Sequence, residues 1–253
     1  MSNAAMGQKP PGKWMQLFLN EPLVAEHLEY STKTQGGHWR IIVDEPRLGH
    51  EHMAMDVRLA EKAESTLRFF TWKTPTISYG WKQPLPSWCD TQWACQQGID
   101  LVERPTGGGL AFHGTDVSVS LIAPHTLELT LKTIMDSLCQ SVVDLCQTYK
   151  IQAHALLETT QTSGRITTCL TEPSPYALMI GERKVAGFAI RRFFKSWLIQ
   201  GSFLARPLTE GLTRLLPSVL LEQLTQRSIA LSQASYVDIR ESSLIKHWAQ
   251  LFK

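Results

Sequence analysis

Two side chains in this chain of 253 residues can take part in covalent or charge-stabilising chemistry and sit in unusual local contexts. Cys169 lies in TCLTEPSPY, after the polar stretch ETTQTSGRITT and before Pro173 and Pro175. A free intracellular cysteine is most often a small buried hydrophobe. Cysteines in irregular, proline-bearing segments have a second option, because they remain accessible as nucleophiles. Lys184 lies in GERKVAGFAI, just after a turn at Gly181-Glu182. A lysine near a turn is ordinarily a solvated edge residue. Here the following Val185, Ala186 and Gly187 are small or apolar, so the ammonium can instead be held towards a pocket.

The third feature is RPTGGGLAFHG, Arg104 to Gly114. The consecutive Gly107, Gly108 and Gly109 bury no side chain and permit close approach by another group. No Lys-Ser or Lys-Thr follows, which excludes a P-loop. The next residues, VSVS, read as strand rather than helix, which excludes a dinucleotide-binding turn. A bulged or kinked strand is the plain alternative. Arg104 supplies a fixed cation at one end and His113 a polar group at the other.

Composition bounds the setting for this chemistry. Hydrophobic residues make up 43% and charged residues 19%, the balance of a globular protein, and the net charge of +2 gives no support for nucleic-acid binding. No apolar run nears the length of a membrane span. The five cysteines (Cys89, Cys95, Cys139, Cys146, Cys169) are odd in number and lack C-x-x-C spacing, which argues against a disulfide framework and a structural zinc site and for a reducing, cytoplasmic setting. MSNAAMG reads as a cloning remnant with Met6 as the natural start.

The elements that must position these residues follow from hydrophobic patterning. Residues up to Gly37 read as an irregular or helical lead-in. WRIIVDEP is a strand, 51–67 an amphipathic helix, and LRFFTW and TISYGW short strands. Trp88–Gly98 is a weak helix holding Cys89 and Cys95. IDLVER is a strand leading to the glycines, and VSVSLIA a strand with one half-buried face. A long helix over Thr126–Lys150 puts Cys139 and Cys146 on one face, as core residues. IQAHAL, YALMI, RKVAGFAI and WLIQGSFLA are strands, and helices close the chain at Thr209–Gln226 and Ser235–Leu251. Strands and helices mix without strict alternation, so the expected class is α+β, with a mixed, mainly antiparallel sheet and packed helices.

Several of these segments together resemble the lipoate–protein ligase A and octanoyltransferase family. There an arginine precedes two or three glycines and an apolar-aromatic-His segment. WRIIVDEP and HMAMDVRLAE are similar to the family's opening strand and first helix, with His52 where Asn is usual. PTISYGWKQP, with Pro75, Gly80 and Gln83, resembles its P-x-x-S-x-G-x-x-Q hairpin, Arg183 to Gly187 its lysine motif, and Gln200-Gly201 its His-Gly. The matches span 38–206. The implied fold is that of the biotin/lipoate protein ligase catalytic domain, related to class II aminoacyl-tRNA synthetases. It divides the chain into a lead-in (1–37), a catalytic core (38–206) and C-terminal helices packed on that core (207–253).

The resemblance also implies roles. The glycines would line the acyl-chain pocket, with Arg104, His113, Gly80, Gln83 and Gly187 contributing to substrate binding. Lys184 would face the acyl carbonyl and stabilise charge on its oxygen. C-x-x-x-P-S-x-Y from Cys169 resembles the loop of the cysteine-dependent octanoyltransferases, whose cysteine carries the acyl group as a thioester. A neighbouring ammonium would favour the thiolate. Ligases place Asp-x-Gly-Asn after the histidine; here Gly114 and Val117 occupy the Asp and Asn positions, and only 207–253 follow the core. The resemblance therefore implies an octanoyl or lipoyl transferase that needs no cofactor. The alternatives are an ATP- and magnesium-dependent lipoate–protein ligase and a non-catalytic acyl- or lipoyl-domain-binding protein. Implied partners are lipoyl-domain proteins, such as the glycine-cleavage H protein and 2-oxoacid dehydrogenase subunits, with acyl carrier protein as a candidate donor, and neither nucleic acid nor membrane. The polar loop over 159–175 is expected to be mobile.

Overall fold

The computed structural model describes residues 28–34, 37–156, 168–172 and 174–252. Most of the polar loop that precedes Cys169, and Pro173, therefore lie outside the described residues. An eight-stranded sheet has the order β1 (Leu28–Thr34), β2 (Gly37–Val43), β3 (Thr66–Phe70), β7 (Asp116–Pro124), β11 (Ser196–Leu204), β10 (Arg183–Arg192), β9 (Ala177–Ile180) and β8 (His154–Leu156). Its pairs are antiparallel except β2 with β3, which the helix α1 (Gly49–Lys62) connects. A smaller sheet has the order β5 (Asp100–Glu103), β4 (Thr76–Tyr79) and β6 (Ala111–His113). This is the α+β class the patterning predicts.

One face of the large sheet packs on α3 (Leu131–Thr148) and α7 (Glu241–Gln250). Ile134, Met135, Leu138, Cys139, Val142, Leu145 and Cys146 form the buried stripe of α3, at the spacing of a core-facing helix. They share a core with Phe69, Phe203 and Trp248, whose indole N–H donates to Ser141 Oγ at 3.0 Å. Burial pushes the Cys139 and Cys146 thiols up to about 12, so both are inert packing groups. The other face carries α1, whose Leu59 and Ala60 pack on Ile122 and Leu198.

Several elements differ from the patterned reading. Leu28–Thr34 is a strand paired along its length with β2, not an irregular or helical lead-in. It is an edge strand with few apolar residues, so its sequence carries little strand signal. α3 starts five residues later than expected, where the Thr130 hydroxyl caps the Thr133 amide. Pro217 divides the first C-terminal segment into α4 (Glu210–Leu215) and α5 (Ser218–Arg227), a short α6 (Leu231–Ala234) lies between the two expected helices, and the second is α7, which starts at Glu241 rather than Ser235. Cys89 precedes α2 (Thr91–Gln96), which begins at the Asp90 cap, and Cys95 on α2 is exposed rather than buried. VSVSLIA is buried on both faces: its valines enter the α3 core, while Ser118 and Ser120 face a buried polar network.

That network ties α1 to the sheet. Arg68 on β3 is fully buried and donates to Asp44 Oδ2 at 2.7 and 3.0 Å and to Asp56 Oδ1 at 2.8 Å. The other Asp56 oxygen accepts from Ser120 (2.5 Å) and from the Gln200 amide (2.7 Å), and Gln200 Oε1 accepts from Thr106 in the glycine segment (2.7 Å). Burial opposes ionisation of Asp44, but Arg47 and Arg68 outweigh it and hold its carboxyl at about 2. Arg68 Nη2 lies 2.6 Å from His52 Nδ1 and can only donate, so the His52 proton sits on Nε2 and points at the Thr71 carbonyl at 2.9 Å. Burial, and then the Arg68 charge, drive His52 down to about 3.

His52 thus stays neutral in the fold, while an unfolded chain protonates it below about pH 6.5. Stability from this residue is intact above that pH and is lost as the pH falls towards 3. Between pH 7 and 5, wild type should lose about 2 kcal/mol in urea unfolding that His52→Asn does not lose. Equal losses in both proteins would contradict this origin.

Candidate active site

Arg104 follows β5 and is buried. Its Nη1 donates to Ser78 O and Ser78 Oγ, both at 2.8 Å, and its Nη2 donates to Gly107 O at 3.1 Å and Gly109 O at 2.8 Å. The same Nη2 stands 3.8 Å from Cys169 Sγ. The glycine triplet therefore lies in a loop wrapped around a guanidinium, between β5 and β6, and not in a kinked strand. Gly108 has φ +97, which suits glycine, and a Cβ there would lie 3.6 Å from Cys169 Sγ. Gly80 packs against the triplet from the end of β4. A Cβ on it would meet Gly108 O at 2.1 Å, so it lets the β4 end lie against the triplet.

Lys184 is buried, so the solvated-edge alternative does not hold. A register shift in the β9–β10 pairing follows it, between Lys184 and Ala186. Its ammonium donates to Cys169 O (2.5 Å), Glu172 O (3.1 Å) and Ser174 Oγ (2.9 Å), filling all three donor positions. Gly187 leaves room for it: a Cβ there would stand 2.8 Å from Lys184 Cε and 3.0 Å from Nζ. Burial pulls both Arg104 and Lys184 below their usual ranges, and for each the largest opposing influence is Cys169. No carboxylate among the described residues pairs with either cation.

Cys169 is half-buried, with its amide donating to Leu110 O at 2.8 Å and Sγ 3.7 Å from Gly109 O. Thr168 and Thr171 hydroxyls bond to each other beneath the turn, and Thr168 bridges to Leu110. The loop that carries the cysteine is thus fastened both to the glycine segment and to the lysine.

His113 is held on both ring nitrogens. Nδ1 meets Asp116 Oδ2 at 2.8 Å, Nε2 meets Ser78 Oγ at 2.6 Å, and the ring stacks on Trp72 at 4.0 Å. Asp116 also accepts from Ser118, Ser202 and the Gly114 amide. Burial opposes its ionisation, but His113 and the Ser202 and Gly114 donors outweigh this and hold the carboxyl low. Ser78 joins this cluster to Arg104, so His113 supports the guanidinium.

These groups surround a cavity of about 210 Å³, lined mainly by apolar atoms. Its lining includes Cys169, Lys184, Glu172, Ser174 and the exposed Gly107 together with the buried Met53, Phe70 and Trp72. Arg104, Gly108, His113 and Gly187 line it as well, so seven of the ten expected site residues converge: Cys169, Lys184, Arg104, Gly107, Gly108, His113 and Gly187. Gly80 supports the wall from behind. Gln83 and Gly109 line a separate cavity of about 220 Å³ with Trp88 and Leu220. Gln83 is placed there by the turn in which its amide bonds Gly80 O. Ser78, Asp116, Ser118 and Gln200 were not singled out as site residues by their sequence context. The alternating serines of β7 were the available signal, since polar residues on a strand buried on both faces must meet polar partners.

Comparison with known proteins agrees with this architecture. The solved archaeal lipoylation system of Thermoplasma acidophilum, a bi-partite lipoate protein ligase and its E2 lipoyl domain, superposes with a TM-score of 0.63 at 17% identity, covering 83% of this chain and 82% of that one. The fold is therefore of the lipoate-protein ligase class. The octanoyltransferase LipM of Carboxydothermus hydrogenoformans is 30% identical over 193 residues (73% of this chain, 71% of that protein), and that of Symbiobacterium thermophilum is 30% identical over 203 (75% and 74%). Residues 47–242 match the lipoyl protein ligase A/B catalytic domain, and this chain belongs to that family.

Gly187→Ala should expel the lysine ammonium from its socket while leaving the strand paired. Acyl-transfer turnover should fall about 100-fold or more, with unchanged far-ultraviolet circular dichroism. Wild-type turnover in this variant would show that the lysine position does not matter.

Proposed function

We propose that the protein is an octanoyl or lipoyl transferase of protein lipoylation, working through a thioester on Cys169. The observation that carries this reading is a half-buried cysteine on the lining of a mainly apolar cavity, with its sulfur 3.8 Å from the buried Arg104 guanidinium and its carbonyl bonded to the buried Lys184 ammonium. In the first step Cys169 Sγ attacks the carbonyl of an acyl thioester, the carrier thiol leaves, and the acyl tail lies along Gly107 and Gly108 towards Met53 and Trp72. Negative charge gathers on the acyl oxygen, and Lys184 or Arg104, with their solvation supplied by backbone carbonyls, are the groups able to stabilise it. In the second step the ε-amine of an acceptor lysine attacks the thioester, forming the amide and releasing the cysteine. Arg104 and Lys184 act as charge stabilisers, with His113, Asp116 and Ser78 as positioning residues.

The donor is an acyl carrier or an acylated protein, and the acceptor a lipoyl-domain protein, such as a glycine-cleavage H protein or a 2-oxoacid dehydrogenase subunit. The relatives named octanoyltransferase LipM and the E2 lipoyl domain of the archaeal system support these assignments. The transferase reading asks for no cofactor, whereas a ligase would take ATP and magnesium. Val117, at the position where ligases carry Asn, turns its side chain into the α3 core and offers a nucleotide no polar contact. Residues 38–206 supply the reaction groups, and the following helices complete the same core through Trp248.

Incubation with octanoyl-carrier thioester should add one octanoyl mass to the wild type and none to Cys169→Ser. Lys184→Ala should abolish transfer to the acceptor and keep the fold. An adduct that persists in Cys169→Ser, or transfer that depends on ATP, would overturn the proposal.

A further inference from the structure

Outside the cavity, the glycine segment carries a second feature on its solvent side. Trp81 follows Gly80, is 44% exposed, and bonds through its amide to Thr106 O at 2.9 Å. Two cations stand against its ring: Lys82 Nζ at 4.3 Å and Arg191 Cζ at 4.1 Å from the centroid. Arg191 also donates to Pro105 O at 2.7 Å and follows Ile190, which lines the cavity. Trp81 and Arg191 are therefore fixed to the backbone that forms the cavity rim beside Gly107. Further along β10, the turn into β11 raises Phe194, 95% exposed, and Lys195. That turn lies about 13 Å from Ile190 at the rise of a strand. No ion pair is formed by Lys82, Arg191 or Lys195 among the described residues. Glu103 accepts from the Lys82 amide and is the one acidic side chain bonded to this patch among the described residues.

An aromatic surface with unpaired cations at the edge of a reaction cavity has the chemistry of a protein docking site. We propose that this rim receives the acceptor protein and selects a target lysine flanked by carboxylates. This rests on the transferase reading above. A lysine has a four-carbon stem, so its backbone must press on the rim for the amine to reach a thioester on Cys169. A single partner footprint of roughly 30 Å across covers both Trp81 and the Phe194 tip. Lys82, Arg191 and Lys195 repel an unescorted lysine and attract one escorted by acidic neighbours, so the same charges admit the correct site and reject others.

The test separates loading from transfer. Wild type, Lys82→Glu/Lys195→Glu and Phe194→Ala are first loaded with octanoyl from a small thioester, then mixed with an apo lipoyl domain whose lysine has acidic flanks. Loading should proceed at the wild-type rate in every variant. The acceptor KM should rise about tenfold or more in the charge-reversed variant and rise with salt in the wild type. An acceptor whose flanking acids are changed to lysine should recover activity with the charge-reversed enzyme. An unchanged KM or no recovery would each overturn the docking assignment. If no variant loads, the transferase reading has failed instead; direct titration of unmodified acceptor against wild-type and charge-reversed enzyme then still decides the docking claim.

Discussion

Two cations, Arg104 and Lys184, are held out of water without a carboxylate partner among the described residues, and the arrangement of the site follows from satisfying them. Burying an uncompensated charge is costly unless fixed dipoles replace its hydration. Here the replacements are backbone carbonyls: Ser78, Gly107 and Gly109 for the guanidinium, Cys169 and Glu172 for the ammonium. To turn those carbonyls inward, the 107–109 segment must fold back on itself, with Gly108 in a left-handed conformation and Gly80 allowing β4 to lie against it. The turn after Thr168 must likewise close over Lys184. Cys169 sits where the two solvation shells meet, bonded by its carbonyl to one cation and adjacent by its sulfur to the other.

This arrangement is preorganised for charge that appears only during reaction. In the resting site the positive charges are bonded to neutral dipoles, with the Glu172 carboxylate acting on Lys184 without a direct bond. When an acyl oxygen becomes negative, the cations are already in place, and the oxygen has only to take over a donor that a carbonyl or hydroxyl holds at rest. The supporting shell keeps them there. His113 and Asp116 clamp Ser78, which clamps Arg104, and the buried Asp44–Arg68–Asp56–Gln200–Thr106 chain links α1 through the sheet to the start of the glycine segment.

Much of this was legible in the sequence, for reasons that differ by element. The amphipathic stripes of α1 and α3 and the longer strands β2, β3, β7, β10 and β11 announce themselves because each buries apolar side chains, whereas the three-residue β6 after the glycines is too short to show a pattern. β1 did not, since an edge strand contributes little apolar burial. Cys169 and Lys184 stood out through local context and family resemblance, and the cavity brings them together. As the partner of the thiol the sequence points to the Lys184 ammonium, which the structure bonds to the Cys169 carbonyl, and the Arg104 guanidinium stands 3.8 Å from the sulfur, brought there by a chain reversal that no residue spacing encodes. Gln83 lines the second cavity with Gly109, where the turn after Gly80 carries it. Asp116 and Ser78 were invisible as site residues because a single polar residue in a strand shows its partner only once the sheets have packed.

The central claim is that the acyl chain occupies the cavity with its carbonyl held between the two cations. A crystal structure of the protein acylated on Cys169 with octanoate tests it most directly. The account predicts a thioester oxygen within hydrogen-bonding distance of Lys184 Nζ or Arg104 Nη2, and a tail running past Gly107 and Gly108 to Met53 and Trp72. A tail lying in the separate cavity near Gln83 and Trp88, or a carbonyl turned away from both cations, would contradict it.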